Sequence, residues 1–242
     1  MLQLKHKMME YSMKKIFITL ILLLVANTGY SQDLEKLNRE NSIQNRVDEI
    51  GANILNKNKI PKRIVFTYSE DEKIKKLQLD KTLTKRQVVV YYELYKHIEN
   101  DDELAAMLSR KIAIAVKSYG KAWGGWIDSA QITASSKKFE VFADKRAVDY
   151  MVNAGYNPLA LITYIHKTVP QRRTDRISRH NLASKRLAKL YEYITYKYPE
   201  YLKDTEYINN KHYQNFLLNS LENRLMLKEK IRTNSTKELK YE

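Results

Sequence analysis

The chain contains no cysteine. Disulfides, thiolate zinc centres and cysteine-linked lipids are therefore excluded. Acidic residues are few beside basic ones: 28 Asp and Glu against 43 Lys and Arg, for a net charge of +15. No DNA- or RNA-binding signature accompanies that charge, and the cations are spread over polar helix faces and the tail without a dense block. A solvated basic surface follows, and nucleic acid is not an expected partner. An anionic membrane or cell-wall surface stays open as a contact. The apolar run Ile16–Ala26 is short for a membrane crossing.

That run has another reading. Met13-Lys14-Lys15 precedes it, and Gly29 and Ser31 follow as small residues before a cleavage point, with Gln32 as the mature start. A charged segment, a short apolar segment and small residues make a secretory signal peptide. An uncleaved anchor is the alternative. Residues Met1–Ser12 then form an upstream extension, and the mature protein is expected to be periplasmic or extracellular.

A chain of 242 residues with 43% hydrophobic content supports one globular domain with a core, plus tails. Residues 1–31 are read as extension and signal peptide, 32–199 as the domain, and 200–242 as a C-terminal helix and charged tail. Leu34–Asn56 has near-helical apolar spacing. Arg63–Tyr68 and Gln87–Tyr91 are β-branched and aromatic strands, with Lys73–Leu79 a candidate edge strand between them. Tyr92–Glu99 reads as a short helix carrying a surface His97. The stretch Lys121–Ser136, with Trp123 and Trp126 around two glycines, reads as a loop that packs over the core or meets a partner. Further helices are expected at Lys138–Ala154, Leu159–Thr168, Ser184–Tyr198 and, as one amphipathic element, Tyr207–Arg232. The last ten residues are expected to fray. The fold class is α+β, mostly α.

The stretch that organises the rest is Asp101–Tyr119, DDELAAMLSRKIAIAVKSY. Asp101 or Asp102 can cap its first N–H groups, and Leu104, Leu108, Ile112 and Ala115/Val116 make one apolar face. The run DDELAAMLS resembles the lead-in to the active-site helix of metallopeptidase family 48, the HtpX-like and CAAX-prenyl-protease-like zinc peptidases. That resemblance implies a zincin-like domain with a small sheet beside the active-site helix, and a following H-E-x-x-H. The positions hold Arg110, Lys111, Ile112, Ala113 and Ile114 instead. Histidines at i and i+4 would bind one Zn²⁺ and the glutamate would take a proton from its water. Arg110 stays protonated and Ile114 has no lone pair, so neither can bind a cation.

Two further runs match the family pattern. Glu140-Val141-Phe142-Ala143-Asp144 and Gly155-Tyr156-Asn157-Pro158 fit its Glu-x-x-Ala-Asp and Gly-Tyr-x-Pro segments. The resemblance makes Glu140 the counterpart of the third zinc ligand and Asp144 its supporting carboxylate. Arg179 to Arg186 resembles the His-Pro-x-x-x-x-Arg segment, with Asn181 in place of Pro. Through that likeness His180 and Arg186 correspond to residues that hold the reacting carbonyl. The Asn-Ala pair of the family's cleft strand is not recognisable. The resemblance spans roughly Val47 to Arg186.

The expected protein is thus an exported pseudopeptidase, a metallopeptidase-like zincin fold that binds protein or peptide without cutting and carries no cofactor. A zinc endopeptidase with a rearranged site is the alternative. Its ligands would come from Glu140, His180, His97, His166 and His212. A basic cell-envelope binding module is a further alternative. With no dication between them, Glu140 and Asp144 need a cation, and Arg110 is expected to reach one or both.

Overall fold

A computed structural model describes residues 34–61, 63–70, 87–118, 136–169 and 182–241. The chain divides into two units, Met1–Asn45 and Arg46–Glu242. Of the first, residues 34–45 are described and are helical. Everything that follows concerns the second.

Its elements are helix α1 (residues 46–57), strands β1 (Val65–Ser69) and β2 (Gln87–Tyr91), and helices α2 (Tyr92–Tyr95), α3 (Asp101–Ser118) and α4 (Ser136–Asn153). Next come α5 (Leu159–Thr168), α6 (Ala183–Lys197), a 3-10 turn (Pro199–Lys203), α7 (Thr205–Ile208), α8 (Lys211–Asn219) and α9 (Leu221–Arg232). The fold is α+β and mostly helical, with a two-stranded parallel sheet in which Val65 pairs with Gln87 and Ser69 with Tyr91. The candidate edge strand Lys73–Leu79 and the tryptophan loop lie outside the described residues.

Helix α3 is the centre. It packs against α4, α5 and β2. From Glu103 to Ser109 every residue is buried, so about two turns are enclosed on all sides rather than along one stripe. The helix cap differs from expectation: Asn100 Oδ1 accepts from the Glu103 N–H at 2.9 Å, one residue earlier than Asp101. The two aspartates serve elsewhere. Arg46 Nε donates to Asp101 at 2.6 Å, and Asp102 accepts from the Asn157 N–H at 3.0 Å and the Tyr207 hydroxyl at 3.1 Å.

Helix α4 stops where its sequence says. Gly155 takes φ of 86°, the Tyr156 N–H bonds the Met151 carbonyl at 2.9 Å, and the Gly155 N–H bonds Val152 at 3.1 Å. This left-handed closure suits glycine. Asn157 then starts α5, its Oδ1 accepting from the Leu159 N–H at 2.9 Å while its Nδ2 donates to Asp204 at 3.0 Å. Gly-Tyr-Asn-Pro is a junction that ties α3, α4, α5 and the C-terminal helices together.

Three sequence expectations are corrected. Tyr92–Glu99 is helical only to Tyr95 before turning. The single helix from Tyr207 to Arg232 is three pieces, because Asn210 caps a new helix by accepting from the His212 and Tyr213 N–H groups and Ser220 interrupts the next. The tail does not fray as a whole, since Tyr241 is buried.

Candidate functional site

The sequence-selected residues meet where α3, α4 and α6 come together. Asp144 lies on the inner face of α4, with its side chain 3% exposed. Arg186, on the first turns of α6 and equally buried, donates from Nε to Asp144 Oδ2 and from a terminal nitrogen to Oδ1, both at 2.9 Å. Arg110, on α3 and 25% exposed, donates from Nε to Oδ1 at 2.9 Å. One carboxylate is therefore held by guanidinium groups from two helices, one of them in a fork-to-fork contact.

Burial alone would raise the Asp144 pKa. Arg186 and then Arg110 outweigh it, and the carboxyl is held below the usual carboxylate range. Burial likewise pulls against the charge on Arg186, but Asp144 at hydrogen-bond distance and the charge of Glu140 leave it raised. Tyr164 of α5, buried beside both arginines, is pushed up chiefly by burial.

Glu140 is buried one turn before Asp144 on the same helix. Lys111 and Ile114 are half-buried and Ile112 and Ala113 fully buried on α3. His180 lies outside the described residues. His97 is exposed, while the His166 and His212 rings stand 6.1 Å apart, joining α5 to α8. Burial, then the neighbouring His212, lowers the His166 pKa.

A catalytic zinc ion needs three protein donors and an open position. The donor set around Asp144 does not fit that need: Arg110 offers only N–H groups, and both Asp144 oxygens already accept from guanidinium. Among the described residues no three His, Asp or Glu side chains are grouped to hold a metal ion. The arrangement can lock three helices together.

A second charged cluster was not singled out by sequence. Glu103, buried on α3, accepts from the Thr163 hydroxyl and Lys167 Nζ, each at 2.6 Å, and from the Glu99 N–H at 2.9 Å. Lys167 also approaches Glu99 at 3.3 Å. An acidic residue in a first helical turn reads as a dipole partner, and that ordinary role concealed this one.

Comparison of the chain with protein-family models, curated proteins and solved structures gives no match.

Proposed function

We propose that this is an exported protein of zincin-like, peptidase-family-48-like architecture that does not cut peptide bonds and works by binding a protein or peptide. The reading rests on the family-like runs in α3 and α4, which the fold brings together, and on the small sheet beside α3. One observation carries it. Arg110, at the position where the resemblance expects the first zinc-binding histidine, bonds Asp144, the counterpart of the carboxylate that supports zinc ligands. A fixed cation stands where the dication would, so the scaffold keeps its electrostatic balance without metal.

Two measurements test it. Purified protein should carry no stoichiometric zinc by elemental analysis and should leave casein intact. About one tightly held Zn²⁺ per chain, lost in Glu140→Ala, overturns the reading. Restoring the motif with Arg110→His, Lys111→Glu and Ile114→His together should create zinc binding that depends on Glu140. A folded triple variant that binds no zinc refutes the zincin-like geometry.

A further inference from the structure

Helix α4 carries its charges unevenly. At the helical step of about 100° per residue, Lys138, Phe142, Lys145, Arg146, Asp149 and Asn153 share one outward arc. Opposite them lie Ala143, Ala147 and Met151, all buried. Asp149 is the one acid of the arc, and Lys197 of α6 donates to it at 2.7 Å. Lys138, Lys145 and Arg146 are left, and α3 adds the exposed Lys117 beside them. None of these four cations makes an ion pair among the described residues.

Rings position the charges instead. Lys117 Nζ lies 5.7 Å and Arg146 Cζ 5.8 Å from the centre of the Phe142 ring, which is itself 37% exposed. Phe139 stands 5.9 Å from Phe142, and Lys145 Nζ lies 5.4 Å from the Tyr193 ring of α6. A cation over a ring is steered but not neutralised. The charge calls for an anionic partner, and the phenyl ring for one with apolar depth beside its charge. A phospholipid surface supplies both, phosphates outermost and acyl chains just beneath. A cell-wall polyanion supplies only the charge. An acidic peptide is held by a groove or a free strand edge, and a convex helix face is neither.

We propose that the outward arc of α4, together with Lys117 of α3, docks this protein on an anionic phospholipid bilayer. No described helix is long and apolar enough to cross a membrane, so the contact lies at the surface. Four cations and one ring carry it, which makes it reversible and weaker as salt rises. It uses none of Arg110, Glu140 or Asp144, and so stands apart from the peptidase-like reading.

Co-sedimentation of the purified protein, in the form the cell accumulates, with lipid vesicles tests this. Phosphatidylcholine vesicles holding about one-third phosphatidylglycerol should bind it far better than pure phosphatidylcholine, with binding lost between about 50 and 500 mM salt. Lys138→Glu with Lys145→Glu should weaken binding about tenfold or more, and should leave the far-UV circular dichroism unchanged because both side chains are exposed. Lys228→Glu with Lys237→Glu makes the same change of net charge on α9 and the tail, and should weaken it less than about threefold. Phe142→Ala should weaken binding about fivefold at every salt concentration. A protein that ignores phosphatidylglycerol vesicles at low salt overturns the proposal. So does an equal loss in the two charge-reversed pairs, which would assign the binding to net charge alone. Retention on immobilised polyglutamate as tight as on vesicles, with Phe142→Ala altering neither, assigns the face to an acidic polymer and equally overturns it.

Discussion

Arg186 holds both oxygens of Asp144 across the α6–α4 contact, while Arg110 adds a single bond from α3 to one of them. The two arginines are therefore unequal. Removing Arg186 leaves a buried carboxylate with one quarter-exposed partner, and Arg186→Ala should cost about 3–5 kcal/mol. Removing Arg110 leaves the fork intact, and Arg110→Ala should cost about 1–2 kcal/mol. Urea melts of both variants measure the order. Equal costs, or a larger one for Arg110, would show that the fork does not dominate.

The same carboxylate gives a pH signature. Its folded pKa lies below its unfolded value, so the folded state binds the proton more weakly. Its contribution to stability is complete above the unfolded pKa of about 3.9 and is lost as pH falls through the folded value. Thermal melts between pH 5 and the acid limit should show this loss. Asp144→Asn should flatten the slope there while lowering stability at neutral pH. An unchanged slope would assign the acid transition to other carboxylates.

His166 acts in a separate window. Burial and His212 depress its folded pKa, so the neutral ring is favoured in the folded state. Stability from this group is full above the unfolded value of about 6.5 and declines as pH falls below it. The chain should begin to lose stability between pH 7 and 5, ahead of the carboxylate transition. His166→Asn should remove that early decline. If melts of the two proteins run parallel over this interval, the pair has no role in acid sensitivity.

Much of the scaffold was legible because its signals are local. The boundaries of α3 and α5 follow from apolar spacing, and Gly155 announces the end of α4 before any partner is known. Asp144 and Arg110 could be singled out because the resemblance sets both around a metal ion that this sequence has no histidines to bind, which leaves the carboxylates in need of another cation. What sequence missed depends on partners. Periodicity marks a helix but not which side finds a neighbour, so the amphipathic reading of Tyr207–Arg232 did not show that Leu218, Leu221 and Leu225 are exposed. The cap read as Asp101 or Asp102 falls instead to Asn100, while Asp101 pairs with Arg46, a partner 55 positions away. Glu103 could not be singled out because Thr163 and Lys167, which bond it, lie 60 and 64 positions away.

Gly51 of α1 tests how closely that helix sits on the sheet. A Cβ there would fall 2.5 Å from the Phe66 ring, which is buried against the helix. Alanine in a helix interior normally gains up to about 1 kcal/mol over glycine. Overpacking should reverse the sign, and Gly51→Ala should destabilise by about 1–3 kcal/mol. Denaturant unfolding measures it. A stabilised variant would mean that the helix can lift from Phe66 at little cost.

Glu103 and Lys167 make the sharpest energetic test, because each is almost wholly withdrawn from water, at 1% and 5% exposure of their side chains. Their attraction is bought with the desolvation of both, so the pair as a whole contributes little. Either partner alone is another matter. Glu103→Leu strands an ammonium whose remaining contact is Glu99, half-exposed and 3.3 Å away, and leaves the Glu99 N–H without its acceptor, while the Thr163 hydroxyl keeps the Ala160 carbonyl at 3.0 Å. That single change should cost about 3–5 kcal/mol. Lys167→Met strands the carboxylate, but the Thr163 hydroxyl and backbone N–H still donate to it, so its cost should be lower, about 2–3 kcal/mol. The double variant removes both charges and retains their apolar volume, and it should recover about half or more of the summed loss. A double-variant cycle in urea reads this directly as the departure from additivity. If the two losses simply add, the buried contact carries no coupling, and α3 is joined to α5 by apolar packing alone.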